Sequence, residues 1–442
     1  MDNKYVIKKL KNGITLLVIP LNINITKIEV KILLGAQHEK KEELELTHYM
    51  EHLMAVFTSY KYKNSLKNKI ELNKRGADSN ASVSDNETIF YITGFYKDLE
   101  FYVDLLSNTI NNFYIDDTIV DNEKNAVIQE NNNYIVKYEY IFDLKVWRYF
   151  FKKYGYQYDS NEKIKNIKKF KVSKIYNYIK NHILLKNIIV SVICPIGKEN
   201  KTLNLLSKAF NFKKESKKDL VYPSKIYKPI TSEIIHINNK NKKETNNVLL
   251  RIYVNKNIIK YSKKYFTIMI LRNILFNFET GPFYNILRSR LGIIYNINFS
   301  YELDLNNPKL SKYAIYTSAD KKNVPLLIQN IFKIFKEYVI MENEIDSAKN
   351  RIKINYEKNK LYDLDYHINY YSSFLVYKRD IIKIKDCVNT INNITYNNIL
   401  NEFNEMSNDI LNKSITFYYG KDNLNNKIKE VVDINIKYKN IL

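Results

Sequence analysis

The sequence predicts an α+β protein of two homologous α/β-sandwich domains, each a mostly antiparallel sheet with helices packed on one face. Three observations lead there. Short β-rich runs alternate with helical stripes along the whole chain. The order of those segments is replayed in the second half. The 442 residues are 45% hydrophobic and 14% aromatic, which supplies apolar mass for two cores and excludes global disorder.

The first segments, 7–10, 14–20 and 25–34, are apolar-rich, and Asn12-Gly13 between the first two is a hairpin signal. Residues 42–58 read as a helix with Leu46, Met50, Leu53, Met54 and Phe57 on one stripe. A second helix over 65–74 is stopped by Gly76. Residues 78–93 read as one strand, 98–113 and 116–138 as helices, 188–196 as a buried strand and 201–210 as a closing helix. The same order returns later: 310–317, 324–338 and 340–349 repeat 87–94, 99–112 and 115–126, and 389–400 before the strand 414–419 repeats 166–179 before 188–196. The expected domains are 1–212 and 231–442, joined by a Lys-, Ser- and Pro-bearing linker over 213–230.

The balance of 70 Lys and Arg against 47 Asp and Glu gives a formal charge of +23. Lys, Asn, Ile and Tyr are over-used together, as an A+T-rich coding bias produces, and no domain-sized basic block stands out. No nucleic-acid partner is therefore expected, although a basic nucleic-acid-binding protein is the alternative this charge suggests. Two cysteines, Cys194 and Cys387, exclude a disulfide scaffold. The first residues show neither a secretory nor a transit pattern, and the longest apolar run, 188–196, falls short of the ~20 residues that span a bilayer. The expectation is a cytoplasmic protein with no membrane association, or a virion-associated one if the composition reflects a viral genome.

Six histidines occur, and two of them, His48 and His52, flank Glu51 in His48-Tyr49-Met50-Glu51-His52. On a helix, positions i and i+4 share one face, so both imidazoles can bind one zinc ion and leave a position for water. Glu51 lies on the same side and can accept a proton from that water. This is the inverted zinc-peptidase pattern H-x-x-E-H. A third ligand is needed. Glu123 and Glu130 lie two turns apart on one helix face; one carboxylate can close the shell while the other orients a ligand, whereas by spacing alone two such glutamates are usually just solvated. His182, His236 and His367 have no spaced partner and read as structural or surface residues, and His38 as a loop residue.

These motifs carry a family resemblance. The chain resembles the pitrilysin/insulinase family of zinc peptidases, to which the mitochondrial processing peptidase belongs. Leu10-Lys11-Asn12-Gly13-Ile14 is similar to the family's opening, Gly35-Ala36-Gln37-His38-Glu39 to the segment before its zinc helix, and the H-x-x-E-H helix matches outright. Asn125-Ala126-Val127-Ile128-Gln129-Glu130 resembles the segment that carries the third ligand, so the resemblance implies one Zn2+ per chain on His48, His52 and Glu130, with Glu51 as general base and Glu123 in support. Gly76-Ala77-Asp78-Ser79-Asn80-Ala81 resembles the edge strand that pairs with substrate, which gives Asn80 and Ala81 a substrate-binding role. Leu287-Arg288 and Tyr295 resemble an Arg/Tyr pair that contacts substrate and stabilises the tetrahedral intermediate.

The resemblance implies a zinc endopeptidase acting on extended or unfolded peptides. Family members enclose a chamber with four such domains, so it also implies a dimer: a homodimer in which Arg288 and Tyr295 serve the partner's zinc, or a heterodimer with an inactive paralogue. A non-catalytic structural subunit of the same family is the other reading. Two departures stand out: Glu45 replaces the glycine usual three residues before the first histidine, and Ala55-Val56-Phe57-Thr58 replaces F-x-G-T. Both are expected to affect helix packing and the adjacent turn rather than the ligands.

Overall fold

A computed structural model of the chain describes residues 5–151, 159–213, 228–239, 246–303, 310–376 and 379–441. Most of the linker expected over 213–230 lies outside them. The strands are β1 (Val6–Lys9), β2 (Thr15–Leu21), β3 (Ile25–Ile32), β4 (Asp78–Val83), β5 (Thr88–Phe95), β6 (Ile188–Pro195), β7 (Ser232–Asn238), β8 (Asn247–Asn255), β9 (Ile297–Glu302), β10 (Lys312–Asp320), β11 (Ile415–Gly420) and β12 (Ile436–Ile441). The α-helices are α1 (Leu46–Ala55), α2 (Ser65–Lys74), α3 (Leu99–Asn111), α4 (Asp117–Ile135), α5 (Tyr140–Phe150), α6 (Ser160–Ile167), α7 (Val172–His182), α8 (Glu199–Ala209), α9 (Lys263–Leu275), α10 (Pro282–Tyr284), α11 (Val324–Glu337), α12 (Glu342–Tyr362), α13 (Leu364–Val376), α14 (Ile384–Asn392), α15 (Tyr396–Lys413) and α16 (Asn425–Val431).

The strands form two six-stranded mixed sheets, ordered β1-β2-β6-β3-β5-β4 and β12-β7-β11-β8-β10-β9. Five positions correspond along the two orders, from β2/β7 through β4/β9, as a duplicated α+β unit requires. The outer strands differ in origin. β1 turns back on β2 as an antiparallel hairpin through Asn12 and Gly13, whose φ is +96°, whereas β12 joins β7 in parallel from the far end of the chain. Only β2–β6 is parallel in the first sheet; β7–β11 and β7–β12 are parallel in the second.

The chain divides into two compact units: 1–137 with 152–223 and 362–381, and 138–151 with 224–361 and 382–442. Each unit thus takes one helix from the opposite half of the sequence. In the first, β3 shows why. Ile28, Val30 and Ile32 enter the core below α1 and α3, while Lys27, Glu29 and Lys31 point to the other face. There α13 packs on β2 and β6, Asp365 at its start pairs with Lys27, and the Lys27 ammonium lies 3.7 Å from the Tyr91 ring centroid. In the second unit α5 plays the same part: Asp143 pairs with Arg251, Tyr149 donates to Glu233, and Lys312 lies 4.7 Å from the Trp147 ring. Each sheet thus places charges beneath a covering helix, which pairs one of them through Asp365 or Asp143, while Lys31, Glu233 and Lys312 pair with Glu87, Lys439 and Glu302 of neighbouring strands or turns.

Two local expectations change. Residues 78–93 are a hairpin and not one strand: Val83 pairs with Thr88, and Ser84 accepts from the N–H groups of Asn86 and Glu87 to close a four-residue turn. The helix expected from 42 begins at Leu46, because Glu45 has φ +74°.

Candidate functional site

The helix α1 is held by both its faces. Leu46, Tyr49, Met50, Leu53 and Met54 are buried in the core, and the Tyr49 hydroxyl donates to the Val120 carbonyl of α4. The first turn of α1 has no local side-chain cap. Glu39, six and eight residues upstream, supplies it: its carboxylate accepts the N–H groups of Glu45 at 2.9 Å and Thr47 at 2.7 Å. Burial and the nearby Glu45 charge push the Glu39 pKa up to about 7 against the pull of these two N–H groups.

On the opposite side of α1, His48 and His52 stand one turn apart with ring centroids 4.9 Å from each other. α4 packs against α1 with Val120 and Val127 buried, and this sets Glu123 and Glu130, each three residues further on, toward the histidines. Glu130 places Oε2 3.2 Å from His48 Nε2 and Oε1 3.6 Å from His52 Nε2. Glu123 Oε2 lies 3.2 Å from His52 Nδ1, and Glu45 Oε2 lies 2.8 Å from His48 Nδ1. Each imidazole is therefore gripped at Nδ1 by a carboxylate and turns Nε2 to the shared Glu130.

The donor set fits a zinc ion. One ligand atom from each of His48, His52 and Glu130 lies within 4.8 Å of the others. A tetrahedral shell with bonds of about 2.0–2.1 Å has edges of about 3.3 Å, close to the observed nitrogen–oxygen spacings. The Nδ1 contacts also leave Nε2 as the free lone pair, which is the arrangement a metal ligand needs. Burial by itself lowers both imidazole pKa values, but Glu45 beside His48 and Glu123 beside His52 outweigh it, so both stand above the ordinary histidine value. Glu51 is 8% exposed; burial raises its pKa, with His52 and His48 opposing.

These residues line a cleft of about 520 Å³ whose other wall is β4, from Ser79 to Val83, with Lys69 of α2 beside it. Among the described residues β4 is the last strand of its sheet and pairs on one side, with β5. Asn80 and Ala81 lie on it, and the Asn80 carboxamide oxygen accepts the N–H of Ala81 at 2.8 Å. The structure thus brings together His48, Glu51, His52, Asn80, Ala81, Glu123 and Glu130 in the first unit.

Arg288 and Tyr295 belong to the second unit, where they meet each other. The Arg288 guanidinium donates to the Tyr295 carbonyl at 2.8 Å and lies 4.7 Å from its ring, with Tyr284 and Phe278 also stacked near it. Arg288 sits in a π-helical turn, Asn285–Arg290, closed by Gly292 at φ +62°. Tyr295 is 76% exposed.

Glu39, Glu45, Asn131, Lys163 and Lys69 carry no site role in the sequence reading. Glu45 is the most consequential. The sequence expectation that its replacement of glycine leaves the ligands untouched does not hold, because its carboxylate bonds His48 directly. Phe57, at the glycine position of F-x-G-T, also has positive φ, +52°, and with Tyr261 these are the three such non-glycine residues among the described residues. The two departures thus mark the two left-handed positions that bracket α1. His38 is likewise buried rather than a free loop residue, and burial holds its pKa down to about 4.

Residues 22–157 match the family model of insulinase (Peptidase family M16), and residues 169–352 match that of the peptidase M16 inactive domain. The beta subunit of the mitochondrial-processing peptidase of Rattus norvegicus is 26% identical over 121 residues, 27% of this chain and 24% of that protein. The chain is thus matched to about a quarter of that relative's length. Among solved structures, a protease from Helicobacter pylori superposes with a TM-score of 0.77 at 16% identity, covering 94% of this chain and 99% of that one. The periplasmic protease PqqL from Escherichia coli superposes with a TM-score of 0.74 at 14% identity, covering 97% of this chain and 48% of that one. The fold is therefore shared along nearly the whole chain. With residues 22–157 and 169–352 matched by models of one family, the chain belongs to the insulinase (M16) peptidases, a match to the peptidase domain followed by one to the inactive-type domain.

Proposed function

We propose that the protein is a zinc-dependent endopeptidase that cleaves extended or unfolded peptides. The observation that carries this reading is the convergence of His48, His52 and Glu130 on one point, with each histidine fixed through Nδ1. One zinc ion per chain, held by those three residues, would polarise the scissile carbonyl and make water acidic enough to attack it near neutral pH.

The chain's own residues supply the remainder. Glu51 is buried beside this point and accepts a proton from the attacking water, then returns it to the departing amine nitrogen. Glu123 keeps His52 in the tautomer with its proton on Nδ1. The free edge of β4 pairs with the peptide backbone by strand addition, and the Asn80–Ala81 contact opens to release a donor for it. Recognition of this kind reads backbone more than side chain, which suits a broad range of sequences.

Arg288 and Tyr295 complete the site from a second copy of the chain, facing the charge that develops on the carbonyl oxygen. The superposition on 48% of PqqL supports this: in that protease a segment of this chain's size is about one half of the molecule. A homodimer is the economical assembly because this chain carries both the zinc-helix residues and the Arg/Tyr pair; a partner paralogue lacking the former is the variant of it.

A second reading, a non-catalytic subunit, is favoured by the inactive-type model matched by residues 169–352. Metal content separates the two. The endopeptidase carries about one zinc per chain, loses it in a His52→Ala variant, and cleaves an unstructured peptide only without chelator. A folded protein with no zinc, or cleavage indifferent to chelator, overturns the proposal.

A further inference from the structure

Glu45 stands where a side chain is hard to place. Its φ of +74° and ψ of +3° lie in the left-handed region, which glycine enters freely and a residue with a Cβ does not. The residue is nevertheless buried, at 6% exposure, and its carboxylate has three partners from three elements. Oε2 lies 2.8 Å from His48 Nδ1 on α1 and accepts from Asn131 Nδ2 of α4 at 3.1 Å; Oε1 pairs with Lys163 Nζ of α6 at 2.6 Å. Backbone strain tolerated at such a position requires compensation from the side chain.

The geometry points to Glu45 as a positioning residue for the metal centre: it orients His48 through Nδ1 as Glu123 orients His52, and a glycine at this position has no side chain to do so. This rests on the zinc reading above. Lys163 and Asn131 fix the carboxylate, the carboxylate fixes the imidazole, and Nε2 is left aimed at Glu130. The arrangement gives each histidine its own carboxylate, one from the residue before α1 and one from α4. A partner of this kind raises the basicity of the ligand and removes rotational freedom that would otherwise be lost on metal binding.

The test compares wild type with Glu45→Gly and Glu45→Gln in the full-length protein. Zinc affinity is measured by competition with a chromophoric chelator, and thermal stability and the His48 tautomer by calorimetry and nitrogen NMR on metal-free protein. Glu45→Gly relieves the left-handed strain, so its melting temperature holds close to that of wild type, yet its zinc affinity falls about 10- to 100-fold and the Nδ1–H tautomer of His48 is no longer fixed. Glu45→Gln keeps an oxygen that can accept from Nδ1–H and retains more affinity than the glycine variant. A merely structural role would instead move affinity and melting temperature together and leave the tautomer unchanged. Wild-type zinc affinity in Glu45→Gly overturns the inference and leaves the endopeptidase reading standing; a wild type that takes up no zinc overturns both.

Discussion

His52 presents Nδ1 to the Glu123 carboxylate at 3.2 Å, and this contact turns its Nε2 toward Glu130. The carboxylate is two turns of α4 from Glu130, so on the zinc reading proposed above one helix would supply both the group that closes the metal shell and the group that steers a ligand into it. Replacement by glutamine keeps an acceptor of the same length and loses the charge. Glu123→Gln is therefore expected to lower zinc affinity about tenfold while the fold persists. Chelator competition measures it, and unchanged affinity would reduce Glu123 to a surface residue of α4.

Glu51 predicts a different pattern. It faces the same cleft, but it is not among the three residues whose ligand atoms converge. Glu51→Gln should retain one zinc per chain and lose peptide cleavage by about 10²- to 10⁴-fold, the usual worth of a positioned general base. Loss of zinc together with activity in this variant would mean that Glu51 holds the metal instead of serving the water.

Much of this site was legible in the sequence for a simple reason. Residues on one helix have fixed relative positions, so His48-x-x-Glu51-His52 and the seven-residue interval between Glu123 and Glu130 translate directly into faces. What depends on segments meeting in space was not legible. Nothing in α13 or α5 announces that each covers the charged face of the sheet in the opposite half, because that pairing is set by tertiary contacts between Asp365 and Lys27 or Asp143 and Arg251. The left-handed backbone of Glu45 belongs to the same class: it is imposed by the loop that brings Glu39 onto the start of α1. The β4–β5 turn differs in kind: Ser84-Asp85-Asn86 is a turn signal, but the β-forming residues on either side outweigh it.

Lys69 is the one lysine or arginine lining the described cleft. It lines the same cleft as β4, where side chains of a bound peptide would pass. It should favour acidic over basic residues by a few-fold, the scale of an exposed charge in solvent. Lys69→Glu should reverse that preference when paired peptides differing only in one Asp or Lys are compared by kcat/KM. An unaltered ratio would place the source of charge selectivity elsewhere.

A buried carboxylate in the second unit predicts a pH-dependent stability. Glu402 on α15 is 8% exposed, and burial pushes its pKa up to about 7, with Lys264 and Lys256 opposing. The folded state therefore holds the proton more tightly than the unfolded chain. Below about pH 4.5 both states carry it; between 4.5 and 7 only the folded state does, so stability falls as pH rises through this window. The loss is on the order of 3 kcal/mol and is constant above it. Glu402→Gln should remove that part of the slope in urea unfolding at pH 5 and 8. Equal slopes in the two proteins would show that Glu402 ionises normally.

The Arg288–Tyr295 pair yields the most demanding prediction, because it concerns assembly as well as chemistry. If the pair serves a zinc centre in a second copy, Glu51→Gln and Arg288→Ala damage different contributors to each composite site. A dimer mixed from the two variants then holds one site carrying both lesions and one carrying neither. Random exchange places half of the dimers in this mixed class, so activity should return to about a quarter of the wild-type value. Neither variant recovers alone at any concentration, and recovery should follow the rate of subunit exchange. Should the mixture stay as inactive as its components while native mass spectrometry shows mixed dimers, the site is not shared between protomers, and Arg288 acts within its own chain or not at all.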